Sequence, residues 1–155
     1  MTKAADASGS IMSLLDYNNM DMAVPRWAFY GLFRYCSTLR NPPELPATTL
    51  ADYCYFAMFE ECTSLTTAPE LPATTVAISC YANMFFRCYS LTQAPELPAT
   101  TLADYCYANM FDHCSSLTQA PALPATTLAD YCYSEMFYTC SRLTKAPQLA
   151  ASTLT

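Results

Sequence analysis

The chain has 155 residues, room for one domain of ordinary size, and 53% of them are apolar, enough for a substantial core. Charged residues make up only 13% and the net charge is −6, which leaves no basic footprint for nucleic acid or an anionic membrane. Two glycines against eleven prolines argue against a glycine-rich sandwich, and no apolar run approaches the ~18 residues of a spanning helix.

The segment from Met1 to Arg40 reads as an N-terminal cap that ends in a degenerate repeat. Met1-Thr-Lys-Ala-Ala-Asp6 is followed by Ile11-Met-Ser-Leu-Leu15, an apolar stretch too short for a signal peptide and preceded by an acid. Trp27, the single tryptophan, opens Trp27-Ala-Phe-Tyr-Gly-Leu-Phe-Arg-Tyr-Cys-Ser-Thr-Leu39.

Residues 41–155 read as tandem repeats, the last incomplete. Ala68-Pro-Glu-Leu-Pro-Ala-Thr-Thr75 returns at Ala94, again at Ala120 with Ala122 for Glu, and in decayed form at Ala146, so the period is 26. Between these copies recurs Cys-Tyr-x-x-Met-Phe-x-x-Cys-x-x-Leu-Thr, from Cys54, Cys80, Cys106 and Cys132. Leu, Met, Phe and both Cys positions hold constant along the series, as a shared core requires. Other positions drift: Glu60, Phe86, Asp112 and Tyr138 share one slot, Glu61, Arg87, His113 and Thr139 the next, and Thr67, Gln93, Gln119 and Lys145 another. A recognition surface belongs among the drifting slots.

Within a unit the spacing predicts a short helix followed by a short extended piece. Leu102, Cys106, Met110, Phe111, Cys114 and Leu117 recur at helical intervals. Thr101 with Asp104 resembles a capping box, repeated at Thr49/Asp52 and Thr127/Asp130 and broken by Ile78 in the second unit. Pro121 and its copies bias the next segment to extended backbone and remove a ladder donor, so two or three ladder residues per unit are expected at most. The fold expected is therefore α/β, with a short parallel strand and a short helix per unit, each unit burying its apolar face against its neighbours.

The nine cysteines lie in two series of period 26, eight residues apart within a unit. On one helix that is a rise of about 12 Å, too far for a disulfide, and neighbouring helices at about 8–10 Å disfavour bridges between units. With one histidine and no Cys-x-x-Cys, a zinc site is poorly supported, and buried free thiols are the preferred reading. His113, beside Asp112, reads as a surface histidine, and Glu60 with Glu61 as a solvated face. No nucleophile–base constellation repeats, so no catalytic residue, metal or cofactor is expected. Glu44, Glu70 and Glu96 form an acidic row that needs solvent, a cation or a basic partner. Tyr55, Tyr81, Tyr107 and Tyr133 read as a packed row, and Tyr53, Tyr105 and Tyr131 as a partly exposed one.

The block Met58-Phe-Glu-Glu-Cys-Thr-Ser-Leu-Thr66 and its later copies resemble the BspA-like leucine-rich repeats, over about residues 27–155. The resemblance implies a right-handed solenoid of parallel strands in a cell-surface or secreted bacterial protein, associated with adhesion to host proteins or cells.

These readings converge on a non-enzymatic interaction module. Its partner is expected to be a protein or glycan, host-derived by the resemblance. The expected contact residues are Thr67, Gln93, Gln119, Lys145, Glu70 and Glu96. The chain also stops inside a new unit, which leaves an uncapped end. A structural component that stacks end to end is the other reading.

Overall fold

A computed structural model describes residues 5–16 and 22–151. The leading Met1 to Ala4 and the closing Ser152 to Thr155, where the incomplete repeat stops, lie outside them.

Each unit has a turn side and an extended side. On the turn side the expected helix is not formed. Residues 53–61 are instead a ribbon of overlapping turns with two kinds of hydrogen bond in alternation. Cys54, Phe56, Met58 and Glu60 donate their N–H to the carbonyl three residues back. Tyr53, Tyr55, Ala57, Phe59 and Glu61 donate into the next unit, to the carbonyls of Ile78, Cys80, Ala82, Met84 and Phe86 in turn. Every backbone polar group of the ribbon is thereby satisfied, half of them inside the unit and half between units. The same five cross-unit bonds join residues 27–35, 79–87 and 105–113 to the ribbon that follows each.

This ribbon requires a left-handed backbone at every fourth residue. Tyr53, Ala57 and Glu61 have φ of 57°, 54° and 57°, and their counterparts in the other units do the same. A left-handed residue other than glycine carries a cost of about 1–2 kcal/mol, so the ribbon persists because stacking over-determines it. In the first unit glycine takes this position without the cost, at Gly31 with φ 58°.

The cross-unit bonds set the spacing. Helices pack about 8–10 Å apart, whereas here identical rings stack at close range. Phe29, Tyr55, Tyr81, Tyr107 and Tyr133 form one column with centroids 5.6–5.9 Å apart. Phe33, Phe59, Phe85, Phe111 and Phe137 form a second at 5.5–5.7 Å. Met58, Met84, Met110 and Leu65, Leu91, Leu117 fill the space between, fully buried.

All nine cysteines are free thiols, and all but Cys36 are buried. Helix separation is not the reason, because the units stack too closely for that argument. In the second series the thiol is committed elsewhere. Cys62, Cys88, Cys114 and Cys140 each donate Sγ–H to the carbonyl of the Phe 29 residues earlier, at 3.0–3.1 Å. A small side chain with a donor is what that site needs.

The Asp of the expected capping box also works between units. Asp52 Oδ1 accepts from Ile78 N at 3.2 Å and Asp104 Oδ1 from Asp130 N at 3.1 Å, each 26 residues on.

The extended side is sparsely paired. Strand β1 (Ala5–Asp6) lies parallel to β2 (Leu39–Asn41). Beyond them only parallel single bridges occur among the described residues: Ser10 with Glu44, Val24 with Leu50, Thr75 with Thr101, and Leu123 with Leu149. The Leu123 bridge shows why. It uses Ala150 N donating to Leu123 O at 3.0 Å. In the full units that donor is absent, because Pro72, Pro98 and Pro124 stand where Ala150 does. The N-terminal segment lies against the first full unit, with Ile11 and Met12 buried in a 3-10 helix, Ile11–Leu14, capped by the Ser10 hydroxyl.

Candidate functional site

Unpaired extended segments leave clefts between consecutive units. Residues 93–98 and 119–124 enclose about 540 Å³, residues 41–46 and 67–72 about 510 Å³, and residues 68–72 and 95–98 about 430 Å³. A fourth, of about 310 Å³, lies between residues 118–122 and 144–148. Prolines line them: Pro69, which is buried, Pro95 and Pro121 in one column, and Pro72, Pro98 and Pro124 in the next. Pro lacks an N–H, and across the first three clefts no backbone donor of one wall reaches the other among the described residues, whereas at the fourth Leu123 N donates to Gln148 O at 2.9 Å. Among the described residues Leu71 N and Leu97 N have no hydrogen-bond partner. These clefts therefore offer backbone donors and carbonyls among prolines.

The six residues singled out from the sequence all line these clefts and are all exposed. Gln93, Glu96 and Gln119 share the first, Thr67 and Glu70 the second, Glu70 and Glu96 the third, and Gln119 and Lys145 the fourth. Thr67 Oγ1 donates to Asn41 Oδ1 at 3.2 Å, which ties it to the unit before. No bond holds Gln93, Gln119 or Lys145 among the described residues.

A second polar zone lies on the turn ribbon. Glu60, expected on a solvated face, is buried and bonded to Arg34 at 2.6 Å. That ion pair and its hydrogen bond push the Arg34 guanidinium above its ordinary pKa. Glu61 pairs with Arg87 at 3.0 Å. Both pairs span 26 residues, so writing the sequence in rows of 26 would have revealed them. His113 Nδ1 lies 2.6 Å from Oδ1 of Asp112, a buried carboxylate, with Phe86 and Tyr138 edge-on to the ring. The ion pairs and ring contacts hold neighbouring units together.

The third zone is aromatic. Trp27 stacks on Tyr53 at 4.2 Å, Tyr30 on Phe56 at 5.2 Å, and Arg26 lies over both Trp27 and Tyr53. The column breaks at Ser79 and resumes with Tyr105 on Tyr131 at 4.9 Å. In the first row Tyr55, Tyr81 and Tyr107 are buried and Tyr133 is half-buried, and in the second Tyr105 and Tyr131 are exposed and Tyr53 is half-buried.

Among the described residues no group of His, Cys, Asp and Glu is placed to hold a metal, and no helix is long and apolar enough to cross a membrane. No family model, curated protein or solved structure matches the chain.

Proposed function

We propose that this chain is a non-enzymatic interaction module of the BspA-like repeat kind, displayed at a cell surface or secreted, with the cleft-bearing extended side as its working surface. The observation that carries this is the coincidence of drift and exposure. One drifting slot, Thr67, Gln93, Gln119 and Lys145, lies along the clefts and is exposed in every unit, while constant positions such as Met58, Met84, Met110 and Leu65, Leu91, Leu117 are buried. Glu70 and Glu96 add negative charge to the same walls. A protein or glycan partner fits such a surface: apolar prolines give contact area, and free backbone groups with amide side chains give hydrogen bonds.

The test is a glycan array and a panel of extracellular-matrix proteins, probed with the chain and with a fourfold variant, Thr67→Ala, Gln93→Ala, Gln119→Ala and Lys145→Ala. The expected result is binding by the first, a loss of at least about tenfold by the second, and equal thermal stability. Absence of binding to either set, or binding untouched by the fourfold variant, would overturn the reading.

A further inference from the structure

Every turn ribbon has two unlike edges. One carries N–H groups at alternate residues and the other carries carbonyls, and inside the chain the N–H edge of each ribbon meets the carbonyl edge of the next. Two edges lack such a neighbour. In the ribbon of residues 131–139 the N–H groups of Tyr131, Tyr133, Glu135, Phe137 and Thr139 donate to nothing among the described residues. In the ribbon of residues 27–35 the carbonyls of Arg26, Ala28, Tyr30, Leu32 and Arg34 accept nothing among them. We infer that a second copy of this chain stacks head to tail on the first through these two edges.

The register carries the inference. Within the chain each donor bonds the carbonyl of the residue just before its own counterpart in the next unit, as Tyr105 bonds Asp130 rather than Tyr131. Continued by one more unit, that rule sets the five donors opposite the five carbonyls in order, from Tyr131 on Arg26 to Thr139 on Arg34. The side chains agree with it. Tyr131 comes onto the free face of Trp27, whose other face already stacks on Tyr53, and Phe137 onto Phe33 in the phenylalanine column. Asp130 comes beside Arg26, which already pairs with Asp52 from the other side at 3.9 Å. Two N–H edges cannot bond each other, nor can two carbonyl edges, so a two-fold dimer through this surface is excluded. The contact is heterologous and continues into longer stacks.

On the extended side two segments compete for one place. Residues 9–11 of the incoming copy and residues 148–150 of the receiving copy would both form the next rung. The latter is held by two backbone bonds, Leu123 N to Gln148 O and Ala150 N to Leu123 O, with Leu149 exposed. The former has two bonds to Glu44 and also buries Ile11 and Met12. Residues 148–150 therefore give way.

The test is sedimentation of the 155-residue chain across micromolar to millimolar concentration, with two variants. Phe137→Pro removes a donor that has no partner within the chain, with Phe137→Ala as the control that keeps it. Ala150→Pro removes the bond that holds the competing segment and restores the residue that the full units carry there. The expected result is a mass that climbs from 17.2 kDa with concentration in the parent chain, and at higher concentration in the control, which keeps the donor and lacks the ring on Phe33. Phe137→Pro stays monomeric with an unchanged circular dichroism spectrum, and Ala150→Pro associates at about tenfold lower concentration, one hydrogen bond's worth. A parent chain and Ala150→Pro that are both monomeric throughout overturn the inference, as does a folded Phe137→Pro that associates like the control. If Phe137→Pro fails to fold, the Ala150→Pro result alone decides.

Discussion

At the residue scale the stack is sensitive to single polar atoms. The Tyr55 hydroxyl is buried with no hydrogen-bond partner, although its ring is packed between Phe29 and Tyr81. Phe29 shows that phenylalanine fits this column. Removing an unsatisfied buried hydroxyl while keeping the ring should stabilise, so Tyr55→Phe is expected to raise stability by about 1 kcal/mol, read from chemical denaturation. The thiols supply a pH dependence. Burial pushes Cys54, Cys62 and Cys106 up to about 12 and Cys140 to about 11, against about 8.5 for a thiol in an unfolded chain. A raised folded-state pKa stabilises fully below the unfolded value and is lost as the pH rises through the folded one. Stability should therefore be level in the thiols' contribution up to about pH 8.5 and fall from there towards pH 12. A denaturation midpoint that does not drop between pH 9 and 11 would contradict the burial of these thiols.

At the element scale the unit is a ribbon of turns, and this is where the sequence misleads. Cys54, Met58, Phe59, Cys62 and Leu65 recur at intervals that suit a helix stripe equally well, so periodicity alone selects the commoner element. The signal against a helix lies across units. Tyr107 and Phe111 recur without change from one unit to the next, as rings must when identical side chains stack directly on one another at ladder spacing. The left-handed residues have only a partial composition signature: Gly31, Asn83 and Asn109 suit one such position, whereas Tyr53, Ser79, Tyr105 and Tyr131 share another. The extended segment was legible from its prolines, because a missing N–H is a property of the residue itself. The exposure of Gln93 and Gln119 was legible from their drift, although drift alone does not mark an exposed slot, since Glu60 and Asp112 share a more variable one and are both buried. Glu60 was not, because its partner Arg34 lies a whole unit away. The break at Ile78 offers a test at this scale. Asp52 and Asp104 accept the N–H of their counterparts one unit on, and Ile78 cannot do so for Asp104, whose N–H has no partner among the described residues. Ile78→Asp should supply that acceptor and stabilise by about 0.5–1.5 kcal/mol, and Ile78→Asn should recover most of the gain.

At the scale of the whole molecule, what holds one unit to the next is nearly the same at every interface: five ribbon bonds, two aromatic columns, and a thiol bond wherever the second cysteine is present. Stability is then close to a sum of like interfaces. The extended side adds little to that sum, and this frees its surface to vary without loosening the stack. The proposed interaction surface and the proposed stacking edge therefore draw on different parts of each unit, except at the last cleft, whose Gln148 lies in the segment that stacking displaces.

The cross-unit bonds all run along one axis, and tension applied between the two ends of the stack loads them in series. No interface can share the load with another, so the stack should come apart one unit at a time. Each release frees one repeat of chain, 26 residues, or about 90 Å of contour at full extension. Pulled from its ends in an optical trap, the protein should give a sawtooth of near-equal force peaks at that interval, in the manner of a chain of equal links. A single large rip would mean that the units hold together as one block.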